Sequence, residues 1–161
     1  MDLIARGLRF RPIEAADESL LETVYASTRA EEMAMVTEWT EEQKQAFLRQ
    51  QFQAQHTYYQ QVYPKAKFLV ILADGQPAGR LYLDYREKEL RIVDITLLPD
   101  FRGRGYGEQI LHSLLEEARG TGKPVTIHVE RMNPALHLYE RLGFQVISEE
   151  NQVYLLMEWR P

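Results

Sequence analysis

The sequence contains no cysteine, and this absence excludes several kinds of chemistry. Disulfide bonds, thiolate metal sites and covalent intermediates on a cysteine sulfur are all ruled out. The four histidines show no tight ligand spacing. His112 and Glu116 stand one helical turn apart, but such a pair is typical of a surface contact. We therefore expect no metal site.

Long apolar runs are missing as well. No segment approaches the roughly 20 apolar residues that are needed to cross a bilayer. The stretch from Met1 to Gly7 lacks the apolar core of a signal peptide. We therefore expect a cytoplasmic protein with no membrane partner.

Basic residues are fewer than acidic ones. The chain has 19 Lys and Arg against 24 Asp and Glu, which gives a net charge of −5. A general nucleic-acid-binding protein needs a basic face, so nucleic acid is not expected as a partner. The acidic balance weakly favours a cationic partner such as an amine.

The length and composition fit one globular domain over residues 1–161. The chain is 45% hydrophobic and 27% charged, as is usual for a soluble domain, and it is too short for two ordinary domains. No linker, repeat or low-complexity tract divides it. The oligomeric state is left open, a homodimer included.

Apolar periodicity in the first part of the chain predicts a strand, two helices and then three strands joined by short turns. Thr40 is a plausible helix N-cap, with Gln43 completing a capping box. The three consecutive strands predict an antiparallel meander. The predicted elements are a strand over Leu8 to Ile13, helices over Ala16 to Arg29 and Thr40 to Tyr63, and strands over Phe68 to Leu72, Gly79 to Tyr85 and Leu90 to Leu98.

The second part predicts a helix, a strand, a short helix and two closing strands. Asn133 is the expected N-cap of the short helix, with Pro134 at its first position and Gly143 just past its end. A strand, a crossover helix and a strand normally lie parallel in one sheet. We therefore expect an α+β (α/β) fold with a mixed sheet of about seven strands and about four helices. These later elements are Glu108 to Arg119, Val125 to Val129, the helix after Asn133, Phe144 to Ser148 and Val153 to Trp159.

The strand that ends the meander changes its apolar parity partway. The apolar positions are first Leu90 and Ile92, then Val93, Ile95 and Leu97. A strand that is buried on both faces would show this pattern. A β-bulge that frees backbone amides would show it equally well, and the two interpretations stay open.

A glycine-dense turn, RGRGYG at residues 102–107, follows this strand and precedes a helix. Such a turn leaves backbone N–H groups bare at the positive end of the helix, which suits a phosphate or pyrophosphate. Arg102 and Arg104 add positive charge at the same place. The alternative is that the glycines serve only the turn and that both arginines are solvated.

Two common nucleotide-binding motifs fit this region poorly. A dinucleotide-binding G-x-G-x-x-G turn requires a third glycine where Glu108 stands, and it belongs to the first strand of its unit. The stretch from Gly120 to Pro124 has the glycine and lysine of a P-loop, but proline stands where Ser or Thr should bind magnesium.

The R-x-x-G-x-G pattern at residues 102–107, after a strand that ends in Leu97-Leu98-Pro99, resembles the pyrophosphate loop of the GNAT superfamily of coenzyme A-dependent N-acetyltransferases. The segment from Asn133 to Phe144 is similar to that superfamily's second signature. The detailed match covers Ile92 to Phe144. The order of the predicted elements is also that of the superfamily.

The resemblance implies two central strands that splay apart, with the pantetheine of acetyl-CoA between them. Backbone groups of Leu97 and Leu98 would pair with the pantetheine amides, and Asn133 would face the pantetheine arm. The acetyl group would pass directly to an amine of a small molecule or of a protein or peptide. The residues implied in holding the pyrophosphate are Arg102, Gly103, Arg104, Gly105, Tyr106 and Gly107.

The resemblance also implies catalytic residues. Tyr139 is the candidate general acid for the departing thiolate; otherwise it is a core tyrosine. Asp94, a charge within the central strand, is the first candidate for the base that deprotonates the amine, with Glu130 and Glu31 as alternatives. A plain ion pair between Asp94 and a nearby arginine such as Arg91 is at least as consistent with the sequence.

The substrate side stays open at this stage. An aromatic face of the long helix either packs on the sheet or lines a specificity pocket. A non-catalytic acyl-CoA-binding protein on the same fold, and a nucleotide-dependent enzyme of another class, are the alternative functions. The residues of the aromatic face are Phe52, His56, Tyr59 and Tyr63.

Overall fold

Seven strands form one mixed sheet in the computed structural model, which describes residues 7–161. The strands are β1 (Leu8–Pro12), β2 (Lys67–Ala73), β3 (Gln76–Tyr85), β4 (Leu90–Leu97), β5 (Val125–Glu130), β6 (Gln145–Glu149) and β7 (Tyr154–Trp159). Their order across the sheet is β1-β2-β3-β4-β5-β7-β6. Strands β1 to β4 are antiparallel, and β4 and β5 are parallel, so the predicted meander and crossover are confirmed. The first six residues, which the signal-peptide prediction concerns, lie outside the described range.

Five helices accompany the sheet, one more than predicted. The predicted helix over Ala16 to Arg29 ends early, at Ser27, where the hydroxyls of Ser27 and Thr28 donate to the carbonyls of Val24 (2.7 Å) and Tyr25 (2.6 Å). Such local side-chain bonds compete with helix propagation. The additional helix begins after the predicted segment, at Ala30. The helices are α1 (Glu18–Ser27), α2 (Ala30–Met35), α3 (Glu41–Val62), α4 (Tyr106–Thr121) and α5 (Leu136–Arg141).

The caps of α3 and α5 test two sequence predictions. Thr40 and Gln43 form the predicted capping box at the start of α3. The prediction for α5 was wrong at its N-terminus: the N-cap is Ala135, and Asn133 Oδ1 instead accepts from the Ala135 N–H at 2.9 Å. The asparagine side chain stabilises a turn before the helix, because it bonds its own backbone two residues on. Gly143 follows α5 at φ +104°, as expected for a helix end.

The main core lies between the sheet and α4. The apolar stripe of α4 is fully buried there: Ile110, Leu111, Leu114, Leu115 and Ala118. A smaller cluster of Leu21, Tyr25 and Phe52 joins α1 to α3 on the opposite face of the sheet. Within residues 7–161, none of the helices is long and apolar enough to cross a membrane.

An ion pair fixes the start of α1 to the edge of the sheet. Both guanidinium ends of Arg11, on β1, donate to the carboxylate oxygens of Asp17 at 2.8 Å. The N–H of Glu14 donates to the same carboxylate at 2.7 Å. The hydrogen bonds from Arg11 lower the pKa of the Asp17 carboxyl. The pair therefore stabilises the placement of α1 while the carboxylate is ionised.

Replacing Asp17 by Asn should lower the free energy of unfolding at pH 7 by about 1 kcal/mol, a modest loss because Arg11 is partly exposed. The folded-state pKa is lowered, so this contribution is present above the unfolded-state value of about 3.9 and is lost as the pH falls through the folded-state value. Urea unfolding of both proteins at pH 7 and pH 3 should show the difference shrinking. A difference that is the same at both pH values, or absent at pH 7, would contradict this.

Candidate active site

The sheet opens between β4 and β5. Strand β4 pairs with β3 from Leu90 to Leu97, but it pairs with β5 only from Leu90 to Ile92. Both strands continue past this point, to Leu97 and Glu130, without pairing with each other. The predicted splay is confirmed. Backbone donors and acceptors along this part of β4 are therefore available on the β5 side.

A bulge at Val93 lies where the two strands separate. Tyr82 of β3 is opposite Asp94 and Leu83 is opposite Ile92, so Val93 has no partner in the ladder. The bulge interpretation of the parity change is confirmed. The three residues before Val93 are all buried, so the first part of β4 is also covered on both faces. The bulge turns the following residues toward the opening.

Gly79 of β3 allows β3 and β4 to approach closely at the far end of the opening. A Cβ atom on Gly79 would lie 2.0 Å from the carbonyl oxygen of Thr96 and 2.9 Å from the Cα of Leu97. Both atoms are backbone, so the strand itself would have to move. Glycine is therefore required here for the position of Thr96 and Leu97.

The glycine-rich loop lies after the open end of β4. Gly103 (φ +73°) and Gly105 (φ +82°) adopt left-handed backbone conformations, and Gly105 is the N-cap of α4. Among the hydrogen bonds of the described residues, none is donated by the N–H groups of residues 103–105. The first turn of α4 adds further N–H groups that have no intrahelical partner. Unpaired amides at the N-terminus of a helix are suited to binding an anion.

The two loop arginines make specific contacts. Arg102 donates from Nε to the Leu97 carbonyl at 2.8 Å and from Nη2 to the hydroxyl of Ser27 at 3.2 Å. The guanidinium of Arg104 lies 5.4 Å from the ring centroid of Phe101. Both charges therefore lie beside the loop, and Arg102 also joins β4 to α1.

Leu97 and Leu98 differ in their free backbone groups. The N–H of Leu98 donates to the Ala78 carbonyl at 2.8 Å, and its carbonyl accepts from Phe101 at 2.9 Å. Leu97 is opposite Gly79 of β3, next to this hydrogen-bonded pair, so its own backbone groups point away from β3. Its carbonyl accepts from Arg102 Nε at 2.8 Å. Of the two residues predicted to pair with pantetheine, Leu97 is the one that faces the opening.

Tyr139 lies on α5 and is almost fully buried, with 5% of its surface exposed. Its ring packs edge-on against Phe144 at 5.8 Å. Burial, and next the negative charge of Asp94, raise the pKa of the Tyr139 phenol. The α5 helix is tied to the first turn of α4 by Arg141 and Glu108 (3.2 Å), so the loop and Tyr139 belong to the same side of the molecule.

Asp94 is held by donors on all sides. Its carboxylate accepts from Arg80 Nη2 (2.9 Å) and Nε (3.2 Å), from the Thr96 hydroxyl (2.7 Å) and from the Tyr59 hydroxyl (3.2 Å). The alternative that Asp94 pairs with a nearby arginine is confirmed, but the partner is Arg80. Arg91 lies beyond the bulge and bonds to β5 instead. A carboxylate has about four lone-pair sites, so those of Asp94 are all engaged.

Arg80 carries the charge that Asp94 neutralises inside the protein. It is 2% exposed, and its Nη2 also donates to Gln55 Oε1 of α3 at 2.8 Å. Burial, with the charge of Asp94, raises the pKa of Tyr59, and burial raises that of Tyr82 to about 12. The buried hydroxyl of Tyr82 has no hydrogen-bond partner among the described residues. Sequence reasoning overlooked Arg80, although an arginine inside an apolar strand was a visible signal.

Glu130 lies at the open end of β5 and alternates with core-facing residues, so it faces the α1 side. Its nearest cation is Arg29, at 3.7 Å, and its side chain is 41% exposed. His128, on the same face, has both ring nitrogens engaged, by Arg91 (3.2 Å) and Glu150 (3.0 Å). Glu31, on α2, is exposed. Among residues 7–161, no group of three His, Asp or Glu side chains could hold a metal ion.

The aromatic face of α3 mainly packs on the protein. Phe52 is fully buried, and His56 stacks on it at 5.4 Å. Tyr59 contacts Tyr82 of β3 at 5.9 Å and Tyr63 at 6.2 Å. The contacts favour the packing interpretation, with only the Tyr59 hydroxyl reaching the polar network around Asp94.

Comparison with known proteins agrees with this geometry. The family model "Acetyltransferase (GNAT) family" matches residues 33–144. The chain is 32% identical over 91 residues to a streptothricin acetyltransferase of Streptomyces lavendulae, covering 54% of this chain and 48% of that one. It is 44% identical over 57 residues to the L-amino acid N-acyltransferase MnaT of Escherichia coli, covering 34% and 33%. The chain thus spans about half or less of the length of these relatives.

Solved structures share the architecture at low sequence identity. The chain superposes on the PaiA N-acetyltransferase of Thermoplasma acidophilum, solved in complex with coenzyme A, with a TM-score of 0.69. The identity is 18%, and the match covers 96% of this chain and 99% of that one. At this identity the similarity shows a common fold over nearly the whole chain.

Replacing Gly79 by Ala should destabilise the protein by about 1–3 kcal/mol, because the new methyl group collides with the backbone of β4. The matched control is Gly120→Ala in α4, where nothing lies within 4 Å of the new Cβ. This control should be neutral or slightly stabilising, since alanine favours a helix more than glycine does. Thermal unfolding of the two variants tests this. Equal melting temperatures would contradict the close approach of β3 and β4.

Proposed function

The chain belongs to the acetyltransferase (GNAT) family, and we propose that it transfers an acetyl group from acetyl-CoA directly to a primary amine of a small molecule or of a protein or peptide. One observation carries this proposal. The opening between β4 and β5 leads directly to a loop of unpaired amides at the N-terminus of α4. An extended arm with a diphosphate at one end fits such an arrangement.

The residues available for the donor fit coenzyme A. The amides of residues 103–107 would hold the diphosphate, with Arg102 and Arg104 supplying charge. Leu97 would pair with the pantetheine amides through the backbone groups that face the opening. Asn133 uses its side chain on Ala135, so it contributes mainly by shaping the turn before α5. When bound, acetyl-CoA supplies an activated thioester.

Tyr139 is proposed as the proton donor. Because burial and Asp94 raise its pKa, the phenol stays protonated throughout the neutral range. Complete proton transfer to a thiolate of pKa about 8.5 is uphill, so the phenol acts mainly by donating a hydrogen bond as the thiolate leaves. A donor that is positioned for developing charge contributes on the order of 3 kcal/mol.

The base is proposed to be Glu130 rather than Asp94. The lone pairs of Asp94 are taken by Arg80, Thr96 and Tyr59, so it serves as an anchor for the bulged part of β4. Among residues 7–161, the Glu130 carboxylate makes one long ion pair, and it is partly exposed at the open end of β5. It could accept a proton from the amine through a water molecule.

Thiol release from acetyl-CoA, followed with DTNB, tests the proposed function. The panel should include streptothricin and L-amino acids, for which the two relatives are named, together with a polyamine and a peptide. We expect release that depends on at least one of these amines. Slow release that no amine accelerates, in a protein that binds coenzyme A, would instead identify a non-catalytic acyl-CoA-binding protein.

Replacing Tyr139 by Phe should preserve coenzyme A binding and lower turnover at least about tenfold, because only the donated hydrogen bond is lost. Calorimetry with coenzyme A and the DTNB assay measure the two effects separately. A matched control is Tyr154→Phe, on β7, where 39% of the residue is exposed. Unchanged turnover in the Tyr139 variant would remove this residue from the mechanism.

Replacing Glu130 by Gln should lower kcat/KM about tenfold at pH 7 and less at pH 9, where more of the amine is already neutral. Glu149→Gln is the control, since Glu149 is an exposed carboxylate paired with Arg131 at 3.2 Å.

Asp94→Asn should lose activity equally at both pH values and lower the melting temperature, because it leaves Arg80 buried without its partner. If the Asp94→Asn variant loses activity at pH 7 but regains it at pH 9, Asp94 is the base instead of Glu130.

A further inference from the structure

Two groups that would bind coenzyme A under the proposed function form a hydrogen bond with each other in this structure. The Leu97 carbonyl faces the opening, and the Arg102 guanidinium lies beside the diphosphate loop. Arg102 Nε donates to that carbonyl at 2.8 Å. The same guanidinium donates to the Ser27 hydroxyl, at the end of α1, at 3.2 Å.

The end of α1 and the residues that follow it contact both sides of the opening. Ser27 is joined to the end of β4 through Arg102, and Arg29 is joined to the end of β5 through Glu130 at 3.7 Å. The short helix α2 starts at Ala30, directly after these contacts. The junction between α1 and α2 is therefore tied to both of the strands that separate.

We propose that Leu97, Arg102 and Ser27 form a latch that coenzyme A opens, so that donor binding loosens the α1–α2 junction on the acceptor side. The inference rests on the proposed function. A diphosphate makes charge-assisted hydrogen bonds with a guanidinium, and these are stronger than the bonds of Arg102 to a neutral carbonyl and hydroxyl. Arg102 moves to the diphosphate and the Leu97 carbonyl becomes available to a pantetheine amide. Ser27 keeps its bond to the Val24 carbonyl but loses the contact that ties the end of α1 to β4.

The latch makes Ser27 a positioning residue, and it predicts the direction in which a Ser27 variant changes the affinity for coenzyme A. Its hydrogen bond stabilises the latched arrangement and so opposes coenzyme A binding. Removing the hydroxyl should therefore tighten binding, by about two- to fivefold for one exposed hydrogen bond. A residue that merely supported the fold would have the opposite effect or none.

Calorimetric titration of Ser27→Ala with coenzyme A tests whether the affinity rises or falls. Thr23→Ala is the matched control, because Thr23 is exposed on the same helix and its hydroxyl, like that of Ser27, donates to a carbonyl of that helix, that of Ser19 at 3.0 Å. We expect Ser27→Ala to bind about two- to fivefold more tightly than the wild type and Thr23→Ala to be unchanged. Binding by Ser27→Ala that equals or falls below that of the control would overturn the latch.

Amide hydrogen exchange of the full chain with coenzyme A provides a second readout. Saturating coenzyme A should protect residues 103–108 and accelerate exchange of residues 28–36 in the wild type. In Ser27→Ala, residues 28–36 should already exchange fast and change no further. Protection of 103–108 with unchanged or slower exchange at 28–36 would refute the latch alone. Absence of protection at 103–108 would refute the proposed function itself.

Discussion

β4 pairs with β3 on both sides of its bulge but leaves β5 after three paired residues, and the candidate site lies in the space that this creates. Two local features keep β4 in place there. The bulge at Val93 shifts the register, and Gly79 lets β3 approach the backbone of Thr96. The glycine loop and α4 then begin where β4 ends. A strand that paired with β5 throughout would close the site completely.

A buried charge pair supports this geometry from the α3 side. Arg80 and Asp94 join neighbouring strands across the bulge, and Gln55 and Tyr59 connect them to α3. Removing one partner of a buried ion pair lowers the free energy of unfolding by much more than the intact pair contributes to it. The fold therefore needs both residues together. The negative charge of Asp94 also helps to keep Tyr139 protonated. Asp94 therefore links the stability of the sheet to the chemistry proposed for the site.

The sequence was sufficient for the order of elements, because periodicity and turn residues are local signals. The capping box at Thr40, the crossover through α4 and the change of parity at Val93 were all visible. Contacts between segments that are distant in the sequence could not be predicted in this way. No local pattern shows that Asp94 pairs with Arg80 rather than Arg91, since this depends on register after the bulge. The late start of α5 reflects the Asn133 side chain, which bonded within a turn instead of capping the helix.

The central claim is that the amides of residues 103–107 bind the diphosphate of coenzyme A. Calorimetric titration with coenzyme A and, separately, with pantetheine, which lacks the diphosphate and the adenosine 3′-phosphate attached to it, tests it most directly. We expect pantetheine to bind at least about tenfold more weakly, because charge-assisted hydrogen bonds to the loop are lost. Equal affinity for the two compounds, or no binding of coenzyme A, would contradict the account.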